Sequence, residues 1–175
     1  MRSRVSICLV LTALVLVAPA LKTKSKAGAG AKSNDEAQIR RLEQNFGDAV
    51  KAKDLSKIMA NYQPGEKLVV FDVTPPREYV GWEAYKKDWQ GFLGTFDGPI
   101  TFDINDLSIT TDGNMAYSYS FQHVAGKMKN GSASDITVRV TDVYRKTSGK
   151  WLIVHEHVSV PVDLTTDKPD LQSKP

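Results

Sequence analysis

Apolar side chains first recur at helical spacing at Ile39, Leu42, Phe46 and Val50, with charged residues between them, so a helix is expected here. Ser33-Asn34-Asp35-Glu36 has the Ser-x-x-Glu spacing of a capping box, which places the start of that helix at these residues. Lys53-Asp54 interrupts the pattern. Asp54 can cap a second, short helix carrying Leu55, Ile58, Met59 and Tyr62, which Pro64-Gly65 ends. Lys67 to Val73 is rich in β-formers and is stopped by Pro75-Pro76. A third helix follows Gly81, with Trp82, Tyr85, Trp89, Phe92 and Leu93 on one face; Gly91, Gly94 and Gly98-Pro99 mark its exit. Beyond it the pattern is one of strands, over 100–110, 115–124, 134–146 and 151–160. Asp112-Gly113, Asn130-Gly131 and Ser148-Gly149 lie between them, and the first two dipeptides are strong hairpin signals. Helices first and an antiparallel meander afterwards predict an α+β fold rather than βαβ units. From Asp163 the chain is polar and reads as a loose tail, 163–175.

The first twenty residues carry a different pattern. Met1-Arg2-Ser3-Arg4 is basic, Val5 to Val17 is an uncharged run of 13 residues, and Ala18-Pro19-Ala20 supplies the small residues a signal peptidase reads. The run is short of the ~20 residues that cross a bilayer as a helix, so it is expected to be a cleaved signal peptide, 1–20, and not an anchor. The protein is therefore expected to be exported, to a periplasm or outside the cell, with no membrane attachment after cleavage. Cys8, the single cysteine, falls inside this segment, which leaves the mature chain without a thiol or a disulfide. Residues 21–34 read as a flexible leader that gathers Lys22, Lys24, Lys26 and Lys32 among Ala and Gly. The whole chain has a net charge of +3, and nothing resembles the basic stripe on a folded face that nucleic acid would need. A single domain over 35–162 remains, enough for an ordinary core.

Within that domain the informative residues are carboxylates at apolar positions. Ile136, Val138, Val140, Asp142 and Tyr144 share one strand face, and Leu152, Val154, Glu156, Val158 and Val160 share one face of the next strand. Pairing the two apolar sets brings Asp142 beside Glu156 on the buried side. Burial and mutual repulsion would raise both pKa values and make one acid a neutral hydrogen-bond donor. The bland alternative is an acid at a sheet edge or bonded to a tyrosine hydroxyl. Asp72 shares a strand face with Leu68 and Val70 just before the proline break, at a cavity rim or in a turn. His155-x-His157, with His123 as a third ligand, has a spacing that can grip a metal, but hydrogen bonding within the sheet or a subunit contact is preferred and no metal is expected. Trp151 and Ile153 fall on the face opposite the Leu152–Val160 set, which leaves large side chains on both sides and suggests a homodimer formed through the sheet.

These elements, in this order, resemble the nuclear-transport-factor-2-like superfamily, in particular its SnoaL-like and ketosteroid-isomerase-like branches. The resemblance spans about residues 35–161 and is carried by three segments. Phe71 to Tyr85 resembles the isomerase stretch with an aspartate, a proline-rich loop and a glycine at the third helix. Val140 to Trp151 resembles the strand bearing the oxyanion-hole aspartate. His155 to Pro161 is similar to the last strand of SnoaL-like proteins and to the association domain of calcium/calmodulin-dependent kinases. The resemblance implies a cone-shaped sheet wrapped around the long first helix. It places Asp72 at the general base and Asp142 at the protonated aspartate of the oxyanion hole, an arrangement for which ketosteroid isomerase is the standard worked example. At the isomerase's second donor, a tyrosine, this chain has Phe46, and a missing donor of that kind costs ~3 kcal/mol of transition-state stabilisation. The expected site is a pocket with Asp72 and Asp142 as catalytic groups and Phe46, Trp82, Trp89, Tyr144 and Glu156 around it. It would take a small apolar or carbonyl-bearing molecule and move a proton on it without a cofactor. The alternative is a non-catalytic assembly module like the kinase association domain.

Overall fold

Ile39, Glu43, Phe46 and Val50 fall on one stripe of a helix and are all buried, so the helix they belong to must lie across the core. The computed structural model describes residues 27–173, with side chains described from residue 34. The helix, α1, runs Ala27–Lys51. It therefore passes through Ser33–Glu36 instead of starting there, and the last residues assigned to a leader, 27–34, are helical. The expected signal peptide lies outside the described residues. Asp54 caps the short α2 (Leu55–Met59), its Oδ1 accepting from the Lys57 backbone N–H at 3.1 Å. Strands β1 (Val69–Phe71) and β2 (Tyr79–Val80) flank the proline-containing loop. Gly81, at a φ of 91° that only glycine adopts freely, opens α3 (Trp82–Thr95), which runs through Gly91 and Gly94.

The remainder is four long strands: β3 (Phe96–Asp112), β4 (Met115–Met128), β5 (Ala133–Thr147) and β6 (Lys150–Ser159). All three dipeptides read as turns sit at the hairpin connections, each with its glycine at positive φ. Gly98-Pro99 lies inside β3 rather than beyond the helix, at a break in its register with β4 between Phe96 and Ile100. The sheet order is β2-β1-β6-β5-β4-β3, antiparallel except that β1 runs parallel to β6. The sheet is curved, with the helices against its inner face, giving the α+β fold the pattern predicted. Val70, opposite Glu156 across the parallel pair, brings the start of the proline loop to the sheet centre.

One detail of register changes which residues face inward. Asp142 does pair with Glu156, but β5 and β6 shift between Val143 and Tyr144, so Tyr144 pairs with Ile153 and Val143 with His155. Val154 is the extra residue of a β-bulge, and a bulge resets the inside–outside alternation. Trp151 and Ile153 consequently face the core, with Glu156 and Val158 on the same side after the bulge. Of the expected inward set Leu152, Val154, Glu156, Val158 and Val160, the first two are therefore not on the inward face, while Glu156 and Val158 are. The pair of large side chains that suggested a sheet dimer is not on the outer face. The tail is not loose throughout: β7 (Val162–Asp163) and β8 (Lys168–Pro169) form a small hairpin, and the Thr137 N–H donates to the Leu171 carbonyl at 2.8 Å. Among the described residues no helix is long and apolar enough to cross a membrane.

Candidate functional site

Between α3, the β1–β2 loop and the inner face of the sheet is a cavity of about 600 Å³, within the range of small-molecule sites. The 3.6-residue period of α3 turns Tyr85, Trp89 and Phe92 toward it, and α1 contributes Phe46. Val124, Ile136, Val138 and Val158 form the aliphatic wall on the sheet side, with Phe102 beside them. The aromatic wall is held by edge-to-face packing: Phe46 lies 5.5 Å from Trp89 and 5.8 Å from Phe102 between ring centroids. The carboxyl groups at the wall are Asp72, Asp88 and Glu156.

Glu156 is held from several sides. Tyr62 OH donates to its Oε2 at 2.8 Å, and Tyr85 OH donates to its Oε1 in a short contact. Tyr85 OH also lies 3.2 Å from Asp72 Oδ2. A hydroxyl has one proton, so with Tyr85 donating to Glu156 the Asp72 contact is best made when Asp72 is protonated and donates to the Tyr85 oxygen. A proton arriving at Asp72 can thus be handed through Tyr85 to Glu156. Asp72 also accepts from the Val73 N–H at 2.6 Å, while burial, with the nearby Asp88 second, raises its pKa.

Behind Glu156 lie two more acids, Glu43 and Asp142, both almost fully buried. Tyr144 OH donates to Glu43 Oε1 at 2.6 Å and pairs with Ser118 Oγ at 2.8 Å. Burial is the main cause that raises the pKa of each acid: Glu43 is pushed up to about 7, and Asp142 well above the usual carboxylate range, with repulsion from Glu43 and Glu156 adding to it. Glu156 is raised by burial too, but the Tyr85 and Tyr62 hydroxyls and the Asp142 carboxyl oppose that by hydrogen bonding to it. The neutral, proton-bearing form of Asp142 is thus favoured by burial and the neighbouring acids. Burial and the neighbouring acids also keep the Tyr62, Tyr85 and Tyr144 hydroxyls protonated, their pKa values far above the ordinary phenol value.

The family model of the SnoaL-like domain matches residues 39–163. The chain belongs to the SnoaL-like domain family. Its fold is shared with a nuclear-transport-factor-2-like protein of unknown function from Pseudomonas putida, at 28% identity and a TM-score of 0.74, covering 82% of this chain and 98% of that one. A nuclear-transport-factor-2-like superfamily protein from Salmonella enterica shares it at 19% identity and a TM-score of 0.67, covering 75% and 94%. A ketosteroid isomerase-like protein from Erwinia carotovora atroseptica does so at 18% identity and a TM-score of 0.60, covering 70% and 93%. No curated protein matches this SnoaL-like chain.

Of the residues read from the sequence, Asp72, Phe46, Trp89 and Glu156 line the cavity of this SnoaL-like domain. Asp142, Trp82 and Tyr144 do not. Asp142 lies further along β5 than Ile136 and Val138, which line the cavity, so the acid of the pair that faces it is Glu156. The indole N–H of Trp82 donates to the Met59 carbonyl at 3.0 Å and ties α3 to α2. Tyr144 is turned toward Glu43. His155 and His157 share one side of β6, both packed edge-on against Phe71, and the His155 ring donates to the Val69 carbonyl at 2.8 Å, while His123 is on β4 and bonds Asp135 at 2.9 Å. Sequence reading missed Glu43, Tyr62 and Tyr85 as members of the acid cluster. Glu43 was detectable, since it stands four residues after Ile39 and three before Phe46 on the buried stripe. The tyrosines carried no such mark, because an aromatic at an apolar helix position looks like core whether or not its hydroxyl has a partner.

Proposed function

We propose that this domain, exported after loss of residues 1–20, binds a small, mainly apolar molecule bearing a carbonyl and moves a proton at the adjacent carbon. The observation that carries the reading is the Asp72–Tyr85–Glu156 chain of hydrogen bonds set in the wall of an otherwise aromatic and aliphatic cavity. Asp72 at the cavity wall is the base: it takes the proton from carbon as the C–H electron pair flows into the carbonyl to give an enolate. Returning that proton to a different carbon is an isomerisation; loss of a neighbouring hydroxyl instead is a dehydration. The raised pKa of Asp72 favours the task, because a base works best when its pKa approaches the working pH. The ketosteroid isomerase-like neighbour agrees with this class of chemistry by fold alone.

An assembly module would need no such cavity, and three clustered buried acids, with Glu156 at its wall, would be an unrewarded cost. The test uses 2-tetralone as a carbonyl probe, following exchange of its α-hydrogens for deuterium by proton NMR. The protein should accelerate exchange, and Asp72→Asn should lower the acceleration by about 100-fold or more. Equal rates for the two proteins would remove Asp72 as the base, and no acceleration with bound probe would remove proton transfer from the reading.

A further inference from the structure

The acid end of the cavity accounts for one polar group of a ligand, yet the opposite region also holds polar side chains that the proposed chemistry does not use. The inward row of β4 reads Ala116, Ser118, Ser120, Gln122, Val124, three consecutive polar residues on a face where the neighbouring strands present Phe102, Ile104, Val138 and Val140. Ser118 is bonded to Tyr144. Ser120 Oγ is buried without a partner, and so is the indole Nε1 of Trp89 on the facing helix. Gln122 is 7% exposed and lines the cavity, as does Trp89 at 9%. Phe46 touches both Trp89 and Phe102, and Phe102 lies opposite Val124, one inward position from Gln122, so the indole and the carboxamide border the same compartment. A buried polar group left unpaired costs ~1–3 kcal/mol, and the Trp89 indole N–H, unpaired at the cavity wall that Gln122 also lines, points to a partner that arrives with the ligand.

We infer that Trp89 and Gln122 form a second polar subsite, which reads a neutral oxygen on the end of the ligand away from Asp72 and Glu156. Resting on the proposed cavity function, this sets the substrate class: a flat, mostly apolar molecule with two oxygens on opposite ends. The spacing follows from register. Ser118, Asp142 and Glu156 lie in one cross-strand row, and Gln122 is four residues further along β4, about 13 Å at ~3.3 Å per residue. Side chains leaning into a curved sheet shorten this to the order of 10 Å between the ligand's oxygens. The oxygen is neutral because a carboxamide and an indole N–H offer no countercharge, and Lys87, the cation bordering the cavity, is exposed.

The experiment compares two probes that differ in the remote oxygen alone, biphenyl-4-ol and biphenyl-4,4′-diol, by titration calorimetry on the chain from residue 21 onward. The diol should bind about tenfold more tightly than the mono-ol to the wild type. Gln122→Leu should abolish that preference while leaving mono-ol affinity equal or higher, and Gln122→Met should do the same if the leucine variant folds poorly. Trp89→Phe, which keeps an aromatic ring and removes the donor, should reduce the preference in part. A wild type that binds both probes equally, or a preference that survives in both Gln122 variants, overturns the second subsite and leaves the cavity reading standing. If neither probe binds the wild type, the cavity reading falls and the subsite with it.

Discussion

Asp142 is the residue where sequence and structure agree most about chemistry and differ most about place. Its burial between Val140 and Tyr144 and its pairing with Glu156 followed from strand alternation; its distance from the cavity did not, because alternation gives the face of a residue and not how far along the strand a cavity reaches, and on β5 the lining stops at Val138. As a raised acid, Asp142 binds a proton in the folded state at pH values where the unfolded chain has lost it. Stability therefore falls as pH rises from the unfolded value near 3.9 toward the folded pKa. Asp142→Asn keeps a donor for Glu156 and removes that loss, so its melting temperature relative to wild type should rise steadily between pH 4 and 8. A variant destabilised by the same amount at every pH would show that Asp142 does not titrate in this range. Glu43, in the same acid cluster, gives a second window. With its pKa raised from 4.5 to about 7, Glu43→Gln should flatten the stability loss across that interval, an effect on the order of 3 kcal/mol by pH 7. Chemical denaturation of both proteins at pH 4.5 and 7 reads it directly, and parallel pH profiles would contradict the shift.

Elements were legible where their signals are local. The hairpin dipeptides, the cap at Asp54 and the aromatic face of α3 each depend on a few neighbouring residues, and each element is present. Signals that depend on distant chain were not legible. Ser33-x-x-Glu36 looks like a helix start but lies within α1, where Asp35 instead accepts from Lys146 Nζ at 2.5 Å and from the Trp151 indole at 3.3 Å. The hydrogen bond from Lys146 is the main cause that lowers the Asp35 pKa, which makes this contact a clasp between α1 and the β5–β6 hairpin. Asp35→Asn should cost roughly 2 kcal/mol at pH 7. Because a depressed pKa stabilises above the unfolded value and stops doing so as pH falls through the folded one, the cost should shrink toward pH 3. Gly126 is a tighter test of β3–β4 packing. A Cβ there would stand 2.8 Å from the Phe96 ring and 3.1 Å from the Pro99 carbonyl, beside the break in β3 that the sequence had suggested was a helix exit. Gly126→Ala should lose about 1–3 kcal/mol in urea denaturation. An unchanged midpoint would mean the bulge at Gly98-Pro99 yields freely.

At the scale of the whole molecule the same bulge at Val154 decides two questions together. It turns Trp151 and Ile153 into the core, where they close one end of the sheet against α1 and residues 61–63, and it turns Glu156 toward the cavity. Without it, one alternation would have put either the tryptophan or the acid on the wrong side, so core closure and site assembly depend on a single extra residue. The large outward side chains then belong to β4, not β6: Tyr117 and Tyr119 are 47% and 54% exposed, with Met115 beside them at the sheet's outer face. A symmetric dimer through the sheet has this face to use, because the helices cover the inner one. Sedimentation equilibrium of the chain from residue 21 onward should give a dimer mass, and Tyr117→Ser combined with Tyr119→Ser should give a monomer of unchanged melting temperature, since both side chains leave no core contact behind. A wild type that remains monomeric at high concentration would end the dimer proposal. A dimer that survives in the double variant would place its interface elsewhere, away from the face that the bulge leaves to β4.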